Sequence, residues 1–178
     1  MTLNKSIREQ VRHRSNYACE YCGITETDTG GLLTIDHFRP KSKGGTDNID
    51  NLIYCCNRCN SYKHNYYPED ENSPKIWNPR EESFSQHFFL LDNGSLKSLT
   101  PVGKTTIQLL RLNRPSLISY RLQQAAKKEE QELLKRYQSL VNLYHQANQE
   151  LGAIIKNQQD LLEQQQQILR FLLEEFED

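Results

Sequence analysis

Two Cys-x2-Cys pairs are the residues of this chain whose types and spacing indicate chemistry most clearly. Cys19 and Cys22 form the first pair, and Cys56 and Cys59 form the second. Four thiolates arranged as two knuckles suit tetrahedral Zn²⁺, and a closed set of four protein ligands is typical of a structural site. Such a site would stabilise a segment too short to depend on its own hydrophobic core. The remaining cysteine, Cys55, is expected to be a buried free thiol.

The segment between and just after the cysteine pairs contains residues suited to hydrolysis of a phosphodiester. Asp36 and His37 are adjacent, Asn51 follows, and Asn60 comes directly after the last cysteine. This reaction needs an activated water, neutralisation of charge on the phosphate, and help for the leaving oxygen. An imidazole can accept a proton near neutral pH, and the oxygens of Asp and Asn suit Mg²⁺ or Mn²⁺. The set predicts a general base beside a divalent-metal site.

The elements that must position these residues are short. The run 32–35 favours a β-strand, and the apolar run 52–54 follows the intervening loop. Neighbouring residues on a regular strand point to opposite faces. A distorted strand end or the start of a loop is therefore expected to bring both Asp36 and His37 to one site.

Taken together, the motifs resemble the HNH endonuclease superfamily, in the branch whose ββα-metal fold is braced by a four-cysteine zinc site. The resemblance rests on Asp-His-x2-Pro-x-Ser-x-Gly-Gly from Asp36, on Asn51-Leu52, and on Cys-x2-Cys-Asn-x2-Lys from Cys56. It is dense from residue 7 to about residue 65. Weaker matches at 78–80, 87–88 and 112–114 resemble an extension seen in some bacterial members.

The resemblance implies a role for each motif residue. His37 matches the general base that takes a proton from water, and Asp36 matches a ligand of the catalytic divalent ion. Asn51 matches the residue that fixes the loop and orients the base. Asn60 matches the third motif residue, on a helix, which is another metal ligand. His64 lies one turn after Asn60 and is an additional candidate ligand.

Basic residues near these motifs are expected either to contact phosphate or to be solvated surface charges. The chain has 22 Lys+Arg against 23 Asp+Glu, a balance that disfavours a protein that merely coats nucleic acid. Local basic clusters are still able to contact phosphates. The candidates are a cluster before the first cysteine pair and residues beside the motifs: Arg8, Arg12, Arg14, Arg39, Lys41, Lys43 and Lys63.

The expected fold class is α+β, in three parts. Residues 1–67 are predicted to form the nuclease core with its zinc knuckles, 68–115 a connector and small mixed extension, and 116–178 a helical, heptad-patterned tail. Within them, a capping-box pattern at Ser6 predicts a helix over about 6–15, and another short helix is expected from Thr105 to Leu112.

The tail carries apolar residues at alternating steps of four and three over about six heptads. This seam predicts a homodimeric coiled coil, a hairpin folded against its own protein, or a helix that docks on another subunit. Self-association is favoured, with polar Gln158 and Gln165 setting the register. Gly152 permits a bend. The two interleaved sets are Leu133, Leu140, Ala147, Ile154, Leu161 and Ile168, and Tyr137, Tyr144, Leu151, Gln158, Gln165 and Leu172.

The function these observations favour is metal-dependent endonucleolytic cleavage of nucleic acid, with DNA as the expected substrate and defence against foreign DNA as the expected role. Two other classes remain: a non-catalytic zinc-ribbon module that binds nucleic acid, and a coiled-coil adaptor with a purely structural zinc. Metal-dependent nicking of plasmid separates the first class from both others. No apolar run approaches the roughly 20 residues that span a bilayer, and the first residues lack a secretory pattern, so a cytoplasmic location is expected.

Overall fold

A computed structural model describes residues 3–70 and 72–175, with side chains as far as residue 170. Ten helices and strands follow one another in this part of the chain, together with short 3₁₀ turns. They are α1 (Lys5–Arg14), α2 (Glu26–Thr29), β1 (Thr34–His37), β2 (Leu52–Cys55), α3 (Asn57–Lys63), α4 (Phe84–His87), β3 (Phe88–Leu90), β4 (Leu96–Ser98), α5 (Pro101–Leu109) and α6 (Pro115–Glu175). The mixture of helices with small sheets and a long C-terminal helix confirms the predicted α+β class.

Strand β2 is the centre of the site-bearing region. It pairs antiparallel with β1, so that Thr34 lies opposite Cys55 and His37 opposite Leu52. All four β2 residues are buried. Because side chains alternate along a strand, Ile53 and Cys55 pack in one hydrophobic cluster, with the paired cysteines. Leu52 and Tyr54 pack in a second cluster against Val11 of α1.

The segment predicted as an extension shares the larger of these clusters. Trp77, Phe88 and Leu96 pack with the paired cysteines, as does Leu110 at the end of α5. The rings of Trp77 and Phe88 pack edge to face, with centroids 5.2 Å apart. Residues 68–115 therefore have their core in common with the preceding residues, within one compact unit, Met1–Gln124.

Capping side chains move two helix starts away from their predicted positions. The Oδ1 atom of Asn4 accepts a hydrogen bond from the Ser6 amide at 3.1 Å, so α1 begins one residue after Asn4 and the cap predicted at Ser6 is wrong. The Thr100 hydroxyl accepts from the Gly103 amide at 3.0 Å, and α5 begins directly after it. The prediction of a helix over 105–112 therefore placed both the start and the end of α5 too far along the chain.

Helix α6 continues without interruption into the second compact unit, Ala125–Asp178. It passes through Gly152, so the hairpin considered for the tail is not formed. The apolar seam is exposed: 69% of Leu133, 62% of Leu140 and 57% of Leu161 are accessible to solvent. Among the described residues, none of the helices combines the length and apolarity needed to cross a membrane.

Candidate active site and metal centre

The four paired cysteines converge on one point. Their Sγ atoms all lie within 4.8 Å of one another, and all four residues are buried. The Sγ atoms of Cys22 and Cys56 are 3.8 Å apart. Tetrahedral Zn–S bonds of about 2.3 Å would place two thiolates roughly 3.8 Å apart. The donor set and its spacing therefore fit the predicted structural Zn²⁺, with Cys19 and Cys59 as the other two ligands.

Local backbone turns present the cysteines in this arrangement. The Gly23 amide donates to the Cys19 carbonyl at 2.8 Å, closing the first knuckle, and glycine allows the positive φ of 79° found there. In the second knuckle the Cys59 amide donates to the Sγ atom of Cys56 at 3.4 Å, so Cys56 also caps α3. Cys55 is a buried free thiol, as predicted, and is not one of the four cysteines that converge. Burial raises the pKa of its thiol.

One open cleft of about 500 Å³ brings together four of the predicted site residues. Asp36 and His37 line it from the end of β1, and Asn60 lines it from α3. His64 also lines the cleft, although it leaves the helix with a positive φ of 50° and caps α3 rather than belonging to it. Asn51 lies outside this cleft, in the neighbouring loop.

The Asp36 carboxylate is nearly buried, with 11% of its side chain exposed. Its Oδ2 atom is buried and forms an ion pair with the Nζ atom of Lys63, 2.8 Å away. Burial raises the pKa of Asp36, and the charge of Lys63 acts against this rise. Asp36 and Asn60 line the same cleft, and a carboxylate with an amide oxygen is a donor set that fits a hard divalent cation.

The His37 ring is held by a residue that sequence reasoning missed. Its Nε2 atom lies 2.7 Å from Oδ1 of Asp47, whose other oxygen lies 2.8 Å from the Nζ atom of Lys41. Lys41 and His37 hold the pKa of Asp47 below its ordinary value. A neutral ring that donates from Nε2 to Asp47 keeps Nδ1 as a proton acceptor. This geometry gives the His37 ring an orienting carboxylate, a role that the family resemblance implied for Asn51.

Asn51 instead fixes the loop that follows β1. Its Oδ1 atom accepts from the Arg39 amide at 2.8 Å, and its Nδ2 atom donates to the carbonyls of Arg39 (3.1 Å) and Thr46 (2.9 Å). The loop is so tight that a Cβ atom on Gly45 would lie 1.7 Å from the Arg39 carbonyl oxygen. The loop-fixing part of the expectation for Asn51 therefore has a structural basis.

We expect Asn51→Ala to lower the free energy of unfolding by about 1–3 kcal/mol, because three hydrogen bonds are lost together. Cleavage should fall as well, since the loop carries Asp47. Denaturant unfolding measures the first effect. Asn48→Ala, which removes a single capping bond to the Asp50 amide, is the matched control. Equal stability of the two variants would contradict the role of the three Asn51 hydrogen bonds in fixing the loop.

The basic residues beside the motifs differ in position. Lys63 is fully buried, which corrects the prediction that it is a candidate for phosphate contact. Lys41 is exposed and lines the cleft. Lys43 donates to the backbone carbonyl of Tyr67 at 3.0 Å, and Arg39 donates to that of Lys43 at 2.6 Å. Lys41 is therefore the one of these four that the structure places in the cleft.

The basic cluster on α1 is occupied by structural contacts. Arg12 pairs with Glu26 at 2.6 Å. Arg14 donates to the Ile49 carbonyl at 2.8 Å, which ties α1 to the segment that precedes β2. These two guanidinium groups stabilise the fold of the compact unit. Two of the three arginines expected to contact phosphate from this helix are therefore engaged in structural contacts.

Comparison with known proteins agrees with this arrangement. Residues 19–66 match the family model described as HNH endonuclease, and this segment of the chain is an HNH endonuclease domain, as its motifs predicted. The match contains the four cysteines and all the residues that line the cleft.

Two curated bacterial relatives extend the similarity beyond that domain. One is the Septu protein PtuB of Bacillus thuringiensis, 30% identical over 116 residues, which are 64% of this chain and 44% of the relative. The other is the Septu protein PtuB of Bacillus mycoides (strain KBAB4), 26% identical over 149 residues, covering 66% of this chain and 50% of the relative. The chain spans about half the length of these relatives. No solved structure matches it significantly.

Proposed function

We propose that this protein is a metal-dependent endonuclease that hydrolyses phosphodiester bonds of DNA. The observation that supports this most is the cleft in which Asp36, His37, Asn60 and His64 meet, inside the HNH domain. Each of these side chains offers a function that the reaction requires, and the cleft is open enough to admit a phosphodiester backbone.

His37 is the proposed general base. Its Nδ1 atom accepts a proton from the water whose oxygen attacks phosphorus, while the bond from phosphorus to the leaving sugar oxygen breaks. Asp47 holds the ring in orientation through Nε2 and stabilises the imidazolium that forms. Asp36 and Asn60 would hold Mg²⁺ or Mn²⁺, with His64 as an additional ligand. A bound divalent ion supplies neutralisation of the charge on the phosphate and on the leaving oxygen.

The two metals of this proposal have separate tasks. Zn²⁺ in the cysteine cluster has four protein ligands and keeps no position for substrate. It fixes α3, which begins in the cluster and carries Asn60 to the cleft. The ion at Asp36 and Asn60 keeps open positions for water and phosphate. Zinc is therefore expected to remain through purification, whereas the divalent ion of the cleft exchanges readily.

We place the reaction in bacterial defence against foreign DNA. The resemblance to small bacterial nucleases of this family suggested that role, and relatives named Septu protein PtuB come from two Bacillus species. The expected substrate is DNA because the resemblance to nucleases of this family implied it. Lys41 lies at the cleft, where its positive charge is suited to contact with the phosphates of either nucleic acid.

The test of substrate is a comparison of closed circular double-stranded DNA, closed circular single-stranded DNA and linear RNA of the same sequence. We expect the purified protein to open the circular DNA with Mg²⁺ or Mn²⁺, because internal cleavage needs no end. Cleavage of RNA alone, or degradation only of linear ends, would contradict the proposal.

The exposed seam of α6 is proposed as a surface for self-association. A stripe of apolar side chains on a soluble helix is stabilised when it pairs with a like stripe, and the seam is exposed in its described part. Such a dimer would present two nuclease domains to one DNA molecule, an arrangement that permits cuts in both strands.

We expect light scattering to give the mass of a dimer for the intact protein and of a monomer for a truncation after Gln124. Leu140→Glu should weaken the dimer by placing a charge in the seam, whereas Ser139→Glu, on the neighbouring position outside the seam, should leave it intact. If the intact protein is a monomer throughout the micromolar range, self-association is wrong. The truncated protein should still nick plasmid, because the cleft lies wholly within residues 36–65.

A further inference from the structure

Lys63 is a lysine without exposure to solvent, a rare state for an ammonium group. Its Nζ atom lies 2.8 Å from Oδ2 of Asp36 and donates to the carbonyl oxygen of His37 at 2.9 Å. It also lies 6.0 Å from the centre of the Phe38 ring. A single ammonium group thus contacts three consecutive residues of the motif, including the proposed metal ligand and the proposed base.

The position of Lys63 connects the two metal sites. It is the last residue of α3, one turn after Cys59 of the zinc cluster, and Asn60 lies between them on the same helix. Helix α3 contacts β1. The zinc cluster therefore fixes the helix from which Lys63 reaches the end of β1. This contact explains how adjacent strand residues serve one site: Asp36 is held from the α3 side while the His37 ring extends to Asp47.

The buried ammonium also opposes any second cation at Asp36. A divalent ion bound to this carboxylate would lie within a few ångströms of Nζ, where like charges repel even in a solvated setting. Lys63 lies against Oδ2 of Asp36, whereas Asp36 also lines the cleft, so the carboxylate is expected to hold the ion through its other oxygen, Oδ1.

We propose that Lys63 is a positioning residue that holds Asp36 and the His37 backbone in place and lowers the affinity of the cleft for its divalent ion. This inference rests on the proposed function, since it assumes that Asp36 is a metal ligand. Lys63 supplies the positive charge that Asp36 needs when no ion is bound, and the shared carboxylate makes the ion easy to release. The site should consequently need a higher concentration of free divalent ion than it would without the charge of Lys63.

Variants of Lys63 should change metal binding and cleavage in opposite directions, which simple structural damage would not do. Lys63→Met removes the charge but keeps the length of the side chain. Binding of Mn²⁺ should tighten about tenfold, because a repelling charge within about 5 Å of a divalent ion is lost even with water-like screening. The cleavage rate at saturating metal should fall, because Asp36 and the His37 carbonyl lose their support. Damage to the site would instead weaken metal binding and slow cleavage together.

The experiment titrates Mn²⁺ into the full-length, zinc-loaded protein at pH 8 and measures free Mn²⁺ by electron paramagnetic resonance. The variants are Lys63→Met, Lys63→Gln, Asp36→Asn and Lys104→Met, an exposed lysine of α5 that serves as the control. We expect tighter binding in both Lys63 variants, loss of binding in Asp36→Asn, and no change in the control. Circular dichroism and zinc content establish which variants are folded.

The outcomes separate this inference from the proposed function. If Asp36→Asn abolishes binding but the Lys63 variants bind no more tightly than wild type, the role of Lys63 is wrong and the metal site stands. If Asp36→Asn binds Mn²⁺ like wild type, the metal site itself is wrong. If neither Lys63 variant folds, the test is made on the wild-type protein. The ¹⁵N resonance of the Lys63 ammonium should then shift when Mg²⁺ is added. A resonance that does not shift would overturn the inference.

Discussion

The His37→Ala variant is expected to fold like wild type and to cleave DNA about 10²–10⁴-fold more slowly, the range typical of a lost general base. The ring contributes little to the core, because it lies at the cleft and bonds to the exposed Asp47. Its loss removes the proton acceptor while the cysteine cluster and Asn51 hold the rest of the site.

The measurement is the single-turnover rate of plasmid nicking, together with the thermal unfolding midpoint of each protein. His13→Ala is the control, since His13 is an exposed residue of α1 whose ring contacts the neighbouring Tyr17 ring at a tilted angle. If purified His37→Ala protein cleaves at the wild-type rate, His37 has no part in the reaction. A large fall in its unfolding midpoint would mean that its role is structural.

Loss of a zinc ligand is expected to have the largest effect on stability. Cys19→Ser should release Zn²⁺ and unfold the compact unit, since binding of a structural zinc contributes about 10–16 kcal/mol and a whole domain is stable by only about 5–15 kcal/mol. Trp77, Phe88 and Leu96 pack in the same cluster as the cysteines, so the extension should lose its order together with the nuclease core.

Cys55→Ser is the matched control, because Cys55 is equally buried but lies outside the metal cluster. Burying its hydroxyl should cost about 1–3 kcal/mol and leave one zinc per chain. Elemental analysis and denaturant unfolding distinguish the two variants. Absence of zinc from purified wild-type protein, or an unchanged unfolding free energy in Cys19→Ser, would contradict the structural zinc site.

The features that the sequence predicted well depend on short-range spacing. The cysteine pairs define their own knuckles. Asp36 and His37 lie on a strand between the two knuckles, and Asn60 lies on the helix that begins in the second. Their convergence follows once β1, β2 and α3 form. The helical conformation of α6 could also be predicted, since its apolar residues repeat regularly over many turns.

The features that the sequence did not predict depend on tertiary packing. Asp47 reaches His37 only because the loop folds back, which three hydrogen bonds of Asn51 enforce. Lys63 ends the Cys-x2-Cys-Asn-x2-Lys motif, but the sequence predicted only a phosphate contact or a solvated charge there, because a motif does not show which lysines are buried. Its burial follows from the contact of α3 with β1. The shared core of the extension was missed because the short apolar runs that contain Trp77 and Phe88 have no periodicity to show what they pack against.

The central claim is that the cleft at Asp36 and His37 cuts DNA with a divalent ion while zinc only supports the fold. The most direct measurement is nicking of supercoiled plasmid by zinc-loaded protein with Mg²⁺, with Mn²⁺, and with a chelator that removes these ions but leaves the zinc in place. Nicked circles should accumulate with either ion, disappear with the chelator, and be absent for Asp36→Asn protein that retains its zinc. Intact plasmid with both ions, or nicking that survives the chelator and Asp36→Asn, would contradict the account.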